Sequence, residues 1–194
     1  GVMRVLAAIL ACGLASSAGA GCLAPGQMPA RMVFADGNVM DGISREGNHL
    51  RSVTHLKGDL TSTSESVWGL FPWESSLDGY FEQFRWKRKN LPVPATMEIG
   101  KPVTLKAQRQ SPGGNSTFVM TVTPLERVEI TVGKCRYPVR HLNVTQGTPE
   151  HPDASVSELW LDTDRMMVWA REAKIYDRAG KQEHEVQARV VAAE

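Results

Sequence analysis

An excess of charge of either sign is missing from this sequence: 22 Lys and Arg stand against 21 Asp and Glu, leaving +1. A dedicated nucleic-acid binder carries a strong basic excess, so that class is excluded as an expectation. Cysteine is scarce, with three in 194 residues, too few for a disulfide-dense scaffold. There is no C-x-x-C pair, no H-E-x-x-H, no Walker loop and no G-x-S-x-G elbow. No catalytic residue, metal or cofactor is therefore implied, and the chain reads as a non-enzyme. Internal repeats, heptads and low-complexity tracts are absent as well. What is present is an ordinary globular composition, 42% hydrophobic and 22% charged, of a length that suits one domain.

The N-terminus has the three parts of a secretory signal. Arg4 supplies the charge, Val5 to Leu14 the apolar run, and Ala18-Gly19-Ala20 a small-residue cleavage site. The run is shorter than the ~20 residues needed to span a bilayer. Residues 1–20 are thus expected to be removed, giving a periplasmic protein with zero net charge. Cys12 and Cys22 each loosely match a lipoprotein cleavage box, so a lipid-anchored outer-membrane form is the alternative. Cleavage after Ala20 would leave Cys22 and Cys135 as an even pair in an oxidising compartment, where a disulfide can form.

Residues 21–30, rich in Gly and Pro, read as a flexible tether, and residues 31–194 as a single antiparallel β domain. Turn clusters recur at Asp36-Gly37-Asn38, Asp41-Gly42, Glu46-Gly47-Asn48 and Lys57-Gly58-Asp59. Val103, Leu105 and Ala107 alternate with polar residues. Ser111 to Asn115 turns the chain, and Phe118, Met120 and Val122 resume the alternation in a hairpin with one buried face. A second hairpin turns at Gly133-Lys134. Pro138 in its return strand predicts an edge or a bulge there. A loop is expected over 146–153. Beyond it, Met167, Trp169, Arg171, Ala173 and Ile175 share one face of a strand, with a helix over 164–176 as the competing reading. Leu77, Tyr80, Phe81 and Phe84 fall at i, i+3, i+4 and i+7, which predicts a helix over 76–88 behind a Ser75 or Ser76 cap.

Several side chains invite a functional role. On a curved sheet, Trp68, Phe84, Trp86, Trp160 and Trp169 could line a pocket for a lipid or other apolar small molecule, or fill the core. Arg85, Lys87, Arg88 and Lys89 lie beside aromatics and could contact an anionic membrane surface peripherally. His49 and His55 are too far apart along a strand, ~20 Å, to share a metal. Glu183-His184-Glu185 reads as a solvated strand end. Glu150, His151 and Asp153 are the first place to look for an unrecognised hydrolase. Asn115 and Asn143 head glycosylation sequons that matter only in a eukaryotic secretory route.

Trp68-Gly69-Leu70-Phe71-Pro72 followed by Glu98 to Val103, then Leu125 to Cys135, then Glu158 to Asp162 with Met167 to Glu172, resemble a family of uncharacterised bacterial periplasmic proteins over about residues 65–191. The resemblance implies a curved antiparallel sheet, similar to the half-barrels that carry lipoproteins across the bacterial envelope, with no catalytic residues to transfer. The expected fold is mainly β, a half-barrel or partly closed barrel with at most one or two short helices. The expected function is binding an apolar or amphiphilic ligand, or an envelope protein partner. A purely structural module acting through the sheet edge near Pro138 is the alternative.

Overall fold

A computed structural model describes residues 21–194. The signal-peptide expectation for 1–20, and with it Cys12, lies outside the described residues. Twelve strands follow in order: β1 (Met32–Phe34), β2 (Val39–Glu46), β3 (His49–Leu56), β4 (Leu60–Val67), β5 (Phe71–Leu77), β6 (Tyr80–Trp86), β7 (Val103–Ser111), β8 (Gly114–Val132), β9 (Cys135–Thr148), β10 (His151–Asp162), β11 (Met167–Tyr176) and β12 (Gln182–Ala193). Each pairs antiparallel with its neighbours in sequence, and β1 joins both β2 and β12, so the sheet closes into a barrel. The predicted curved antiparallel sheet is borne out, and its closure is complete. Closure removes the two long free edges that an open sheet would present.

Period-two patterning explains which way the barrel faces. On β7, Leu105 and Ala107 are buried in the lumen core while Thr104, Lys106, Gln108 and Gln110 are exposed. An apolar lumen with a polar exterior is the reverse of a water-filled outer-membrane barrel, whose apolar band faces lipid.

The apolar residues form two cores rather than one. Along β9 the even residues Leu142 and Val144 belong to the lumen core, whereas the odd residues Cys135, Tyr137 and Val139 belong to a second core. Successive strand residues point to opposite faces, so the two cores lie on opposite sides of the β8–β9 ribbon. A bulge makes the switch. Pro124 pairs with Leu142 and Glu126 with His141, leaving Leu125 unpaired. This extra residue turns the even positions of β8 from the lumen (Phe118, Met120, Val122) to the second core (Ile130, Val132).

Four expectations require correction. The helix over 76–88 is absent: β5 and β6 form a hairpin whose turn residues Asp78 and Gly79 have φ of 46° and 79°. An Asp-Gly pair with positive φ at both positions makes a two-residue hairpin turn, and that local chemistry overrides the helical spacing. Asp41-Gly42 is no turn but an irregularity within β2, where the register with β3 shifts between Asp41 and Ser44. The loop over 146–153 contracts to a tight turn between Thr148 and His151. Residues 21–30 do lack strand or helix, yet they are docked rather than loose. Leu23 is buried in the second core, and Cys22 is disulfide-bonded to Cys135, 113 residues away, with Cα atoms 5.4 Å apart. The strand reading of 167–176 holds against its helical competitor. Pro138 pairs with Glu129 of β8, but β10 reaches only as far as Arg140, so Pro138 occupies a short local edge.

Candidate functional site

Consecutive antiparallel strands place alternate turns at opposite ends of the barrel. The turns after β8 and β10, with the docked N-terminal segment and the disulfide, lie at one end. At the other end, where β5–β6, β7–β8, β9–β10 and β11–β12 turn, the lumen opens into a cavity of about 480 Å³. That volume is within the ~300–1,000 Å³ typical of small-molecule sites.

Phe84 and Phe118 form the cavity floor, packed edge to face at 4.9 Å. Behind them Trp86 meets Phe118 at 5.9 Å and Phe71 at 5.6 Å, and its indole N–H donates to the Pro72 carbonyl at 2.9 Å. Phe71, Phe84 and Phe118 are buried in this edge-to-face cluster, and Trp86 is half-buried with its N–H satisfied. Ile175 adds an apolar wall from β11.

Three charged groups reach the same space, Glu82, Arg109 and Arg171. Arg109 is partnered: its Nε donates to Ser116 Oγ at 3.1 Å and its Nη1 lies 3.6 Å from Glu82. Arg171 donates from Nη2 to Ser157 Oγ at 3.3 Å, and its buried Nε has no hydrogen-bond partner. Burial pushes the Arg171 guanidinium below its ordinary pKa, because removal from water disfavours the charged form. The arrangement sets an aromatic floor beside an under-coordinated cation.

The residues singled out from sequence do not converge. Phe84 lines the cavity and Trp86 backs its floor, while Trp68 packs on the lumen core from the turn after β4. Trp169 is fully buried in the second core, stacked on Tyr137 at 4.8 Å. Trp160 also packs on that core, with His141 stacked over it at 4.6 Å. A single pocket lined by Trp68, Phe84, Trp86, Trp160 and Trp169 is therefore corrected to two separate aromatic groups. Arg85 lies over the Trp73 ring, 5.7 Å from its centre, and Lys87, Arg88 and Lys89 are exposed just beyond β6. Because β6 is a strand, the exposed Tyr80 and Phe81 sit at one end of it and the basic run past the other.

A larger concavity, about 640 Å³, lies on the outer face of β2 to β4 among Arg45, His49, Arg51 and Glu65. Its polar groups satisfy one another: His49 Nδ1 is 2.6 Å and Arg51 Nε 2.8 Å from the Glu65 carboxylate. Burial pushes that carboxyl up, but the hydrogen bonds to His49 and Arg51, together with their charges, leave it below the usual carboxylate range. His151 Nε2 and Asp153 pair loosely at 3.7 Å, with Asp153 exposed beyond the β9–β10 turn. Among the described residues no three His, Cys, Asp or Glu side chains gather at metal-binding distance.

Arg109 and Arg171 were legible in principle. Arg171 shares the face of Ala173 and Ile175, and one more step along Val103, Leu105 and Ala107 reaches Arg109. An arginine on an otherwise apolar face is the informative exception.

No family model matches the sequence. No curated protein matches it either. Among solved structures, the chain is similar to the hypothetical lipoprotein YmcC from Escherichia coli (K12), with TM-score 0.49, 10% identity, and 88% of this chain and 89% of that one covered. It is also similar to a protein of Bacteroides fragilis NCTC 9343 described as having a YmcC-like fold, with TM-score 0.39, 9% identity and coverage of 86% and 96%.

Proposed function

We propose that this chain is an exported, non-enzymatic envelope protein that holds an apolar or amphiphilic small molecule at the open end of its barrel. The observation that carries the reading is the aromatic-floored cavity of about 480 Å³ lined by β5 to β11. A closed barrel can hold a small ligand in its interior, and such sites are concave and mostly apolar. Export is supported by the leader-like N-terminus and by the Cys22–Cys135 bridge, which suits an oxidising compartment. A sulfur engaged in that bridge cannot carry a lipid thioether, so anchoring through Cys22 and the bridge exclude one another.

The test is native mass spectrometry of protein extracted gently from bacterial envelopes. A retained lipid-sized mass, displaced by an added alkyl amphiphile, is the expected result. A clean apo mass, with no amphiphile bound on titration, overturns the reading and favours the structural alternative. The short edge at Cys135–Val139, left unpaired by β10, would then be the contact surface to examine.

A further inference from the structure

We infer that the cavity's ligand carries an anionic oxyacid head, a carboxylate or a phosphate monoester, which Arg171 receives while an alkyl portion lies on Phe84 and Phe118. This deepens the amphiphile reading above and rests on it.

Three arginines reach into the protein, Arg140 and Arg165 fully buried and Arg171 half-buried. Arg165 faces the Asp162 carboxylate at 2.7 Å and donates to the carbonyls of Gln27 and Ala24 at 2.8 and 2.6 Å. Arg140 donates from Nη1 to the carbonyls of Pro94 and Ala95, at 2.7 and 2.9 Å, and so holds the 3₁₀ turn Pro94–Thr96 against the barrel. Both have structural work. Arg171 is different: among the described residues its one side-chain partner is a serine hydroxyl, with no carboxylate or backbone carbonyl. The Nε is buried and unpartnered in Arg171 and Arg140 alike, so what sets Arg171 apart is that its fork has no carbonyl or carboxylate acceptor.

Arg171 is half-buried with its Nε shielded from water, and a partly desolvated cation without a counter-charge is unfavourable until something pairs it. The other charges in the cavity do not, because Glu82 is already 3.6 Å from Arg109. Two arginines against one glutamate leave the cavity with a surplus positive charge. Arginine's fork of N–H donors matches two oxygens of a carboxylate or phosphate, and such a charge-assisted pair is stronger than a neutral hydrogen bond. The same guanidinium lines the same space as Phe84, Phe118 and Ile175, so head and tail are recognised together.

The test is calorimetric titration of the purified, disulfide-intact protein with dodecanoate, dodecyl phosphate and dodecanol, each below its aggregation limit, and with acetate and inorganic phosphate as heads without tails. Both anionic amphiphiles should bind about tenfold or more tightly than dodecanol. The stronger of the two identifies the source of the head, and the tailless anions should bind far more weakly. Arg171→Gln should bring the affinity for both anionic amphiphiles down to that for dodecanol in the same variant, and Arg171→Lys should keep part of the preference. Equal binding of all three amphiphiles by the unaltered protein overturns the head-group assignment but leaves the amphiphile reading standing. No binding of any amphiphile overturns that reading itself. A preference that survives Arg171→Gln removes Arg171 from the site. Should that variant fail to fold, thermal shifts of the unaltered protein decide: dodecanoate must raise its melting temperature more than dodecanol does.

Discussion

The Asp162 carboxylate and the Arg165 guanidinium, three residues apart across the β10–β11 turn, meet at 2.7 Å with both side chains almost wholly buried. Asp162 also accepts the backbone N–H groups of Asp164 and Arg165 at 3.1 and 3.0 Å and the Trp169 indole N–H at 3.2 Å. Arg165 in turn holds the N-terminal segment through its carbonyls and lies over the Tyr137 ring, 5.1 Å from its centre. Removing one partner of a buried pair leaves an uncompensated charge, which costs about 3–5 kcal/mol. Asp162→Ala should lower stability by that order in denaturant melts. It should also speed hydrogen exchange at Leu23 to Gln27 before the rest of the barrel opens.

The disulfide fastens the same segment covalently. It joins Cys22 to the first residue of β9 across 113 positions. Loss of a long-range disulfide costs about 2–5 kcal/mol, chiefly by freeing the unfolded chain. Cys22→Ser should therefore melt earlier and become sensitive to protease within residues 22–30. Amphiphile binding should be unchanged, since the cavity opens at the far end of the barrel. Loss of binding in this variant would show that the two ends are coupled.

How far the sequence alone reaches can be judged from particular stretches. Alternation in Val103–Ala107 and Phe118–Val122 announced the β7–β8 hairpin, and its buried face is the lumen core. Gly133-Lys134 announced the next turn. Two kinds of feature escaped. Bulges are invisible to a period-two count, so neither the switch of faces at Leu125 nor the exclusion of Trp169 from the β10–β11 pairing was legible. The closure of β1 on β12 depends on contacts across the whole chain, which local patterning does not encode. For the cavity, Phe84 was found through its aromaticity, while Arg109 and Arg171 were passed over because a lone charge in a strand is usually solvated.

Trp169 separates core filling from ligand binding. It is fully buried, stacked on Tyr137, and on the opposite side of the ribbon from the lumen cavity. Truncating a buried Trp to Ala costs about 3–5 kcal/mol through lost packing and the hole left behind. Trp169→Ala should lose stability of that order while retaining amphiphile affinity in the fraction that remains folded. Phe118→Ala, in the cavity floor, should lose both. Loss of affinity in Trp169→Ala with affinity retained in Phe118→Ala would place the ligand in the second core instead.

Glu65 gives the outer face a pH dependence with a definite sign. Its carboxyl is held below the usual range because the hydrogen bonds to His49 and Arg51, with their charges, outweigh the opposing effect of burial. A carboxylate with a depressed folded pKa stabilises the protein above its unfolded value of about 4.3. That contribution disappears as pH falls through the lower folded value, when the group takes up a proton in both states. Glu65→Gln should therefore melt below the unaltered protein at pH 7, and the gap should close progressively under pH 4. A gap that stays constant down to pH 2 would mean that Glu65 acts through shape and neutral hydrogen bonding alone. High salt at pH 7 should narrow the gap as well, because the Arg51 side chain is largely exposed and its attraction is screened.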